Sequence, residues 1–117
     1  MGQPVVHFEV QGADRNALAR FYEQLFGWQT KDISEMKYTM VDTGGGEGIN
    51  GGIGNTPEGA PGGITVYVQS DDVAGSLKRA EELGGRAVAG PMDMPDGHKW
   101  ALFADPEGHV VGLYGQG

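Results

Sequence analysis

The chain predicts an α+β fold made of two copies of one βαβββ module, and three observations carry that reading. A strand-like run, Val5 to Val10, leads through an amphipathic segment to a Gly-rich strand, Gly51 to Gly54. About 60 residues on, Ile64 to Val68 leads through a second such segment to Val110 to Tyr114. Each half alone is too small to close a core, which makes the whole chain, 1–117, one domain with half-modules at about 4–55 and 62–115.

The elements follow in order. Val5 to Val10 alternates, with Val6, Phe8 and Val10 on one face and His7 and Glu9 on the other. Asp14 is placed to cap a helix. Its apolar stripe is Leu18, Phe21, Tyr22, Leu25 and Phe26, at i, i+3, i+4, i+7 and i+8, and Gly27 stops it. Trp28 to Ile33 and Lys37 to Val41 read as short strands, followed by the glycine-rich stretch Gly44 to Gly54. Thr56 to Gly63 reads as the linker. In the second half Ile64 to Val68 is a strand and Asp71 or Asp72 a cap. Val73, Leu77 and Ala80 form a narrower stripe, Leu83 packs near the helix end, and Gly84-Gly85 stop it. Arg86 to Ala89, His98 to Ala104 and His109 to Tyr114 complete the strands. Met94-Pro95-Asp96-Gly97 and Asp105-Pro106-Glu107-Gly108 both place Pro at i+1 and Gly at i+3 of a type I turn.

Composition narrows the function classes. Sixteen acidic residues against eight basic give a net charge of −8, which argues against nucleic-acid or anionic-membrane partners, since phosphate contacts need clustered Lys and Arg. The absence of Cys excludes disulfides, zinc–thiolate sites and thiol catalysis. No apolar run approaches the length of a membrane span, and Met1-Gly2-Gln3-Pro4 lacks the marks of a signal peptide, so a soluble cytoplasmic protein is expected.

Val6-His7-Phe8-Glu9, Phe21-Tyr22-Glu23-Gln24-Leu25-Phe26-Gly27-Trp28 and Asp105-Pro106-Glu107-Gly108, set in the doubled βαβββ order, resemble the vicinal oxygen chelate superfamily over roughly residues 4–115. That group holds glyoxalase I, extradiol dioxygenases and the bleomycin and fosfomycin resistance proteins. The resemblance implies a cupped mixed sheet around a cleft, helices on the outer face, a small-molecule ligand and a homodimer. It also implies a divalent metal held at four inward positions, on the first and last strands of each half. Those positions fall on His7, Gly52, Thr65 and Gly112. Only His7 is a ligand type, and two glycines bring no side chain, so the usual metal site cannot form from this set. The expected function is therefore small-molecule binding, non-catalytic or metal-independent, without a cofactor. The other reading is a metal-dependent glyoxalase-like lyase or isomerase with an atypical site built on His7.

The remaining candidates follow from strand alternation. His7 and Glu9 share a face and read as polar lining of a wet cavity. Thr65, Tyr67 and Gln69 share the matching face and offer a hydroxyl, a phenol and an amide to a ligand, or serve as solvated sheet positions. Trp100 is a further lining candidate, and Trp28 reads as core or rim. Gly46-Glu47-Gly48-Ile49-Asn50-Gly51 matches Gly-x-Gly-x-x-Gly, but strand-like sequence follows it, so it reads as a turn and not a dinucleotide fingerprint. His98 and His109 fall at turn–strand junctions and are expected to be exposed. The methionines read as gap fillers.

Overall fold

The computed structural model describes residues 2–56 and 62–116. The chain forms two compact units, one of residues 7–64 and the other of residues 65–117 joined by 1–6. The first contains α1 (Arg15–Phe26) and the strands β1 (Val5–Gly12), β2 (Gln29–Ile33), β3 (Tyr38–Asp42) and β4 (Gly51–Asn55), where β1 begins in the other unit. The second contains α2 (Val73–Glu82) with β5 (Gly63–Ser70), which begins in the first unit, β6 (Arg86–Asp93), β7 (Lys99–Ala104) and β8 (Val110–Gly115). The order βαβββ is thus present twice, as the sequence predicts.

The strands of the two units share one plan. In the first unit the strand order is β2-β3-β4-β1, antiparallel except for the parallel pair β1/β4. In the second it is β5-β8-β7-β6, antiparallel except for the parallel pair β5/β8. The parallel pair exists because the chain returns over a helix after the opening strand of each module. Pro4 O accepts from Gln69 N at 2.9 Å, tying the start of the chain to the second unit.

Each helix is closed by local chemistry. The Asp14 carboxylate accepts from Ala17 N at 3.0 Å, and Gly27, at φ 74°, ends α1 by donating its N–H to Glu23 O. Asp72 caps α2, accepting from Gly75 N at 3.0 Å. The buried face of α1 packs Ala19 against Val10, Val41 and Ile53, with Phe8, Leu18, Tyr22 and Trp28 around them. In the second unit Val73 and Leu77 pack on Ala101 and Leu113, with Ala87 and Phe103 beside them.

The apolar stripe of α1 differs from the expectation. Leu18 and Tyr22 pack on the core, but Phe21, Leu25 and Phe26 are 56%, 58% and 58% exposed. The helix contacts its sheet through the short side chain of Ala19. At about 100° per residue, Phe21 projects roughly 200° away from that contact line. Phe26, in the last turn, still stacks near Tyr22 and Trp28. Leu83 is likewise 63% exposed and not packed, because it is the C-cap residue, where the chain leaves the helix axis.

Both Pro-x-Gly turns form as expected. Gly97 N donates to Met94 O at 3.0 Å and Gly108 N to Asp105 O at 2.8 Å. Both glycines are left-handed, at φ 91° and 92°, which lets the next strand leave in register. The Gly-x-Gly-x-x-Gly stretch is a turn running into β4, with no helix after it. Most of the linker, 57–61, lies outside the described residues, and its last position, Gly63, opens β5.

Removing either cap leaves N–H groups at a helix start unsatisfied. Asp14→Ala and Asp72→Ala should each lower stability by about 1 kcal/mol, and the melting temperature by a few degrees, in thermal denaturation.

Candidate functional site

One helix covers one face of each four-stranded sheet. Alternation then sorts the opposite face, and His7, Glu9, Thr65, Tyr67, Gln69 and Trp100 fall there. In the first unit Phe8 and Val10 pack in the core under α1, so His7, Glu9 and Gln11 project from the other side of β1. Glu9 lies beside Gly52 in the parallel ladder, and Gly52 beside Met40 of β3. A Cβ at Gly52 would overlap the hydroxyl and Cζ of Tyr38, and one at Gly54 would stand 3.5 Å from the same ring. The tyrosine therefore lies across two glycines, in space that any other residue at 52 would contest. Its hydroxyl is 2.9 Å from His7 Nε2, and the two ring planes are nearly parallel, 22° apart. Burial holds the His7 pKa below its ordinary value, so the imidazole is neutral at pH 7. Glu9 accepts from Gln11 Nε2 at 2.6 Å. An open depression of about 300 Å³ beside this sheet is lined by Gln29, Met40, Asp42 and their neighbours, and includes none of His7, Glu9 or Tyr38.

The second unit repeats the device with different residues. Leu113, Ala101 and Phe103 face α2, which puts Thr65, Tyr67 and Gln69 of β5, Trp100 of β7, and Gly112 and Tyr114 of β8 on the helix-free face. Tyr67 pairs with Gly112, whose added Cβ would overlap Cδ2 and Cε2 of the Tyr67 ring. Tyr67 is buried, Thr65 and Trp100 half-buried, and Gln69 exposed. Tyr114 lies between Gln69 and Trp100 in register.

His98 corrects an expectation. It is not a freely exposed junction residue: its side chain is 35% exposed and stacks on Tyr114, centroids 5.1 Å apart and planes 16° apart. Its Nδ1 is 3.0 Å from Asp96 Oδ1, close but without the alignment of a hydrogen bond. His109 does meet the expectation, with its side chain 73% exposed. Tyr38 was not among the sequence candidates. The signal that points to it is a glycine at an inward strand position with an aromatic residue on the neighbouring antiparallel strand.

The ladder registers make the two modules equivalent at the positions in question. Glu9 pairs with Gly52 as Tyr67 pairs with Gly112, so His7 matches Thr65 two residues earlier on each strand. A divalent metal at these positions would need two or three imidazole or carboxylate donors. The set supplies one imidazole and one hydroxyl, and the Cβ positions of both glycines are filled by phenol rings. The residues do not fit that ion. Among the described residues no three His, Cys, Asp or Glu side chains gather into a group able to hold a metal.

Comparison with known proteins places the chain. The sequence profile of the Glyoxalase/Bleomycin resistance protein/Dioxygenase superfamily matches residues 5–113. The chain belongs to that superfamily. It is 31% identical to the anthracycline biosynthesis protein DnrV of Streptomyces peucetius, over 94% of this chain and 46% of that protein. It is 30% identical to the putative glyoxylase CFP32 of Mycobacterium tuberculosis, over 91% of this chain and 43% of that protein. The chain thus spans about half the length of the curated relatives it matches. Among solved structures, a methylmalonyl-CoA epimerase in complex with methylmalonyl-CoA superposes with a TM-score of 0.67 at 17% identity, covering 97% of this chain and 94% of that one. A superfamily member from Vibrio splendidus superposes at 0.66 with 15% identity, covering 97% and 98%. At such identities these likenesses show the fold alone. No helix among the described residues is long and apolar enough to cross a membrane.

Two outcomes follow. Gly52→Ala should force the Tyr38 ring aside and cost about 1–3 kcal/mol, read by urea denaturation. His7 should also make stability depend on pH. Its folded pKa lies below the unfolded value of 6.5, so its contribution is complete above about pH 6.5 and is lost as pH falls through the lowered folded value. The His7 ring proton should titrate below 6.5 by NMR, and His7→Gln should remove that component of the loss of stability on acidification.

Proposed function

We propose that this chain is a small-molecule-binding domain of the superfamily that works without the family's divalent metal, ligands resting on the helix-free sheet faces. The observation that carries the reading is the filling of both glycine positions by tyrosine rings, which replaces two metal-ligand sites with phenols. Phenols, imidazole and amide groups beside aromatic rings suit an uncharged organic ligand with a few hydrogen-bonding groups. His7 and Glu9 line one face, and Thr65, Tyr67, Gln69 and Trp100 the other, within a single domain. The likeness to a protein named for anthracycline biosynthesis supports a planar aromatic ligand. The strongly acidic balance supports a protein that leaves nucleic acids alone, and the lack of Cys is in keeping with the cytoplasm.

Thermal denaturation with Ni²⁺, Zn²⁺, Mn²⁺ and Fe²⁺ tests the metal half of this proposal. No shift is expected with any of them. A metal held in a native site at about 100 times its dissociation constant would add about 2.7 kcal/mol. A rise of several degrees that disappears in His7→Ala would return the chain to the metal-dependent lyases and isomerases. Quenching of indole fluorescence by a hydroxyanthraquinone tests the other half. Binding is expected, and absence of quenching up to the solubility limit would remove the aromatic ligand.

We further propose a homodimer, supported by the exposed apolar stripe of Phe21, Leu25 and Phe26, which is larger than a solvated helix face requires. Light scattering at tens of micromolar should give the mass of two chains, and Leu25→Lys should shift it toward one. A monomer in the wild type would defeat the proposal.

A further inference from the structure

We propose that Asp96, His98 and Tyr114 form a separate recognition station on the second unit, built to bind the acidic hydroxyl of a phenol or enol through His98 Nε2. The station lies wholly within that unit and uses none of the residues at the glycine positions; it deepens the ligand-binding reading, since Trp100 and Gln69 of that face border it, but does not depend on the absence of metal.

The geometry begins in the turn. Gly97 at φ 91° brings His98 back onto β7 on the same side as Trp100, the side that carries no helix. Asp96 Oδ1 accepts from the backbone N–H of His98 at 3.0 Å, which holds the carboxylate beside the imidazole. That hydrogen bond also keeps the carboxyl below its usual range, hence ionised at neutral pH. A carboxylate 3.0 Å from Nδ1 would repel a lone pair there, so it selects the tautomer with the proton on Nδ1. Nε2 is then left with its lone pair, and nothing among the described residues hydrogen-bonds to it. The stack on Tyr114 fixes the ring plane.

Tyr114 supplies the complement. Burial and the Asp96 charge raise its pKa, so the phenol stays a donor across the neutral range. Among the described residues nothing hydrogen-bonds to its hydroxyl. A lone-pair acceptor and an O–H donor therefore stand together beside Trp100 and Gln69, its partners in register. A ligand that donates from an acidic hydroxyl and accepts at a neighbouring oxygen matches both, while its ring lies along the aromatic side chains.

Structural support of the turn does not account for this. The equivalent turn at Asp105 also uses the carboxylate to accept from a histidine N–H, His109 N at 2.9 Å. Its histidine ring nonetheless stays mostly in solvent. The His109 ring also pairs with its aspartate, Nδ1 3.0 Å from Asp105 Oδ2, so what sets His98 apart is its burial and its stack on Tyr114.

The test is NMR of ¹⁵N-labelled protein, with 4-nitrophenol as probe and 4-nitroanisole, which lacks the acidic O–H, as control. The expected results are a His98 ring protonated on Nδ1 and an Nε2 resonance that moves with 4-nitrophenol but not with 4-nitroanisole. His98→Ala should weaken 4-nitrophenol binding about tenfold, and Tyr114→Phe by a smaller factor, while His109→Ala leaves it unchanged. An Nε2-protonated ring, an Nε2 resonance unmoved up to the solubility limit, or an equal response to 4-nitroanisole overturns the proposal. The wild-type spectra decide the matter even if the variants fold poorly.

Discussion

A single helix can bury only one face of a four-stranded sheet, and the rest of this structure depends on that constraint. Val10, Val41 and Ile53 under α1, and Ala101 and Leu113 under α2, commit one parity of every central strand to the core. The other parity is left without a helix and need not be apolar. Chemistry therefore accumulates there: His7, Glu9 and Tyr38 in one unit, and Thr65, Tyr67, Trp100, His98 and Tyr114 in the other. A one-residue slip of β1 or β5 would exchange the two sets, so the buried residues hold the site in register as firmly as they hold the core.

Glycine at 52 and 112 then decides what kind of site each face holds. Glycine in a strand interior costs backbone entropy and contributes no packing of its own. Here the lost side chain is replaced by a ring from a neighbouring strand. Tyr38 and Tyr67 put apolar area and a hydroxyl where a ligating carboxylate or imidazole would project. Each helix-free face thereby carries a ring over its glycine, with hydrogen-bonding groups and, in the first unit, the Glu9 carboxylate beside it.

How much of this was legible in the sequence depended on whether the signal was local. Asp14, Asp72, Gly27 and the two Pro-x-Gly turns act on atoms within four residues, and each sits where its spacing places it. Strand parity identified the inward faces for the same reason. The α1 stripe was less legible, because the apolar positions of a helix do not say which of them meets the sheet. Ala19, too small to count in the pattern, marks the contact. The His7–Tyr38 pair lay out of reach because it spans 31 residues and depends on how β3 lies against β4. Glycine at 52 was visible, but its meaning as space for a ring required the neighbouring strand.

The two histidines that follow the Pro-x-Gly turns show how far local equivalence goes. Both turns close with the same backbone hydrogen bonds, both use an aspartate to accept from the histidine N–H, and both bend at a left-handed glycine. They differ in parity. His98 leads into β7 in phase with Trp100, on the helix-free side, where Tyr114 of the adjacent strand meets its ring. His109 leads into β8 in phase with Val111 and Leu113, the helix-facing parity, but lies beyond the end of the packed core and so meets water. Two similar turns, with the aspartate third in one and first in the other, thus deliver one imidazole to a surface of polar and aromatic groups and the other to its aspartate and solvent. The turn sets where the histidine backbone goes, and the strand it enters sets what the side chain can do.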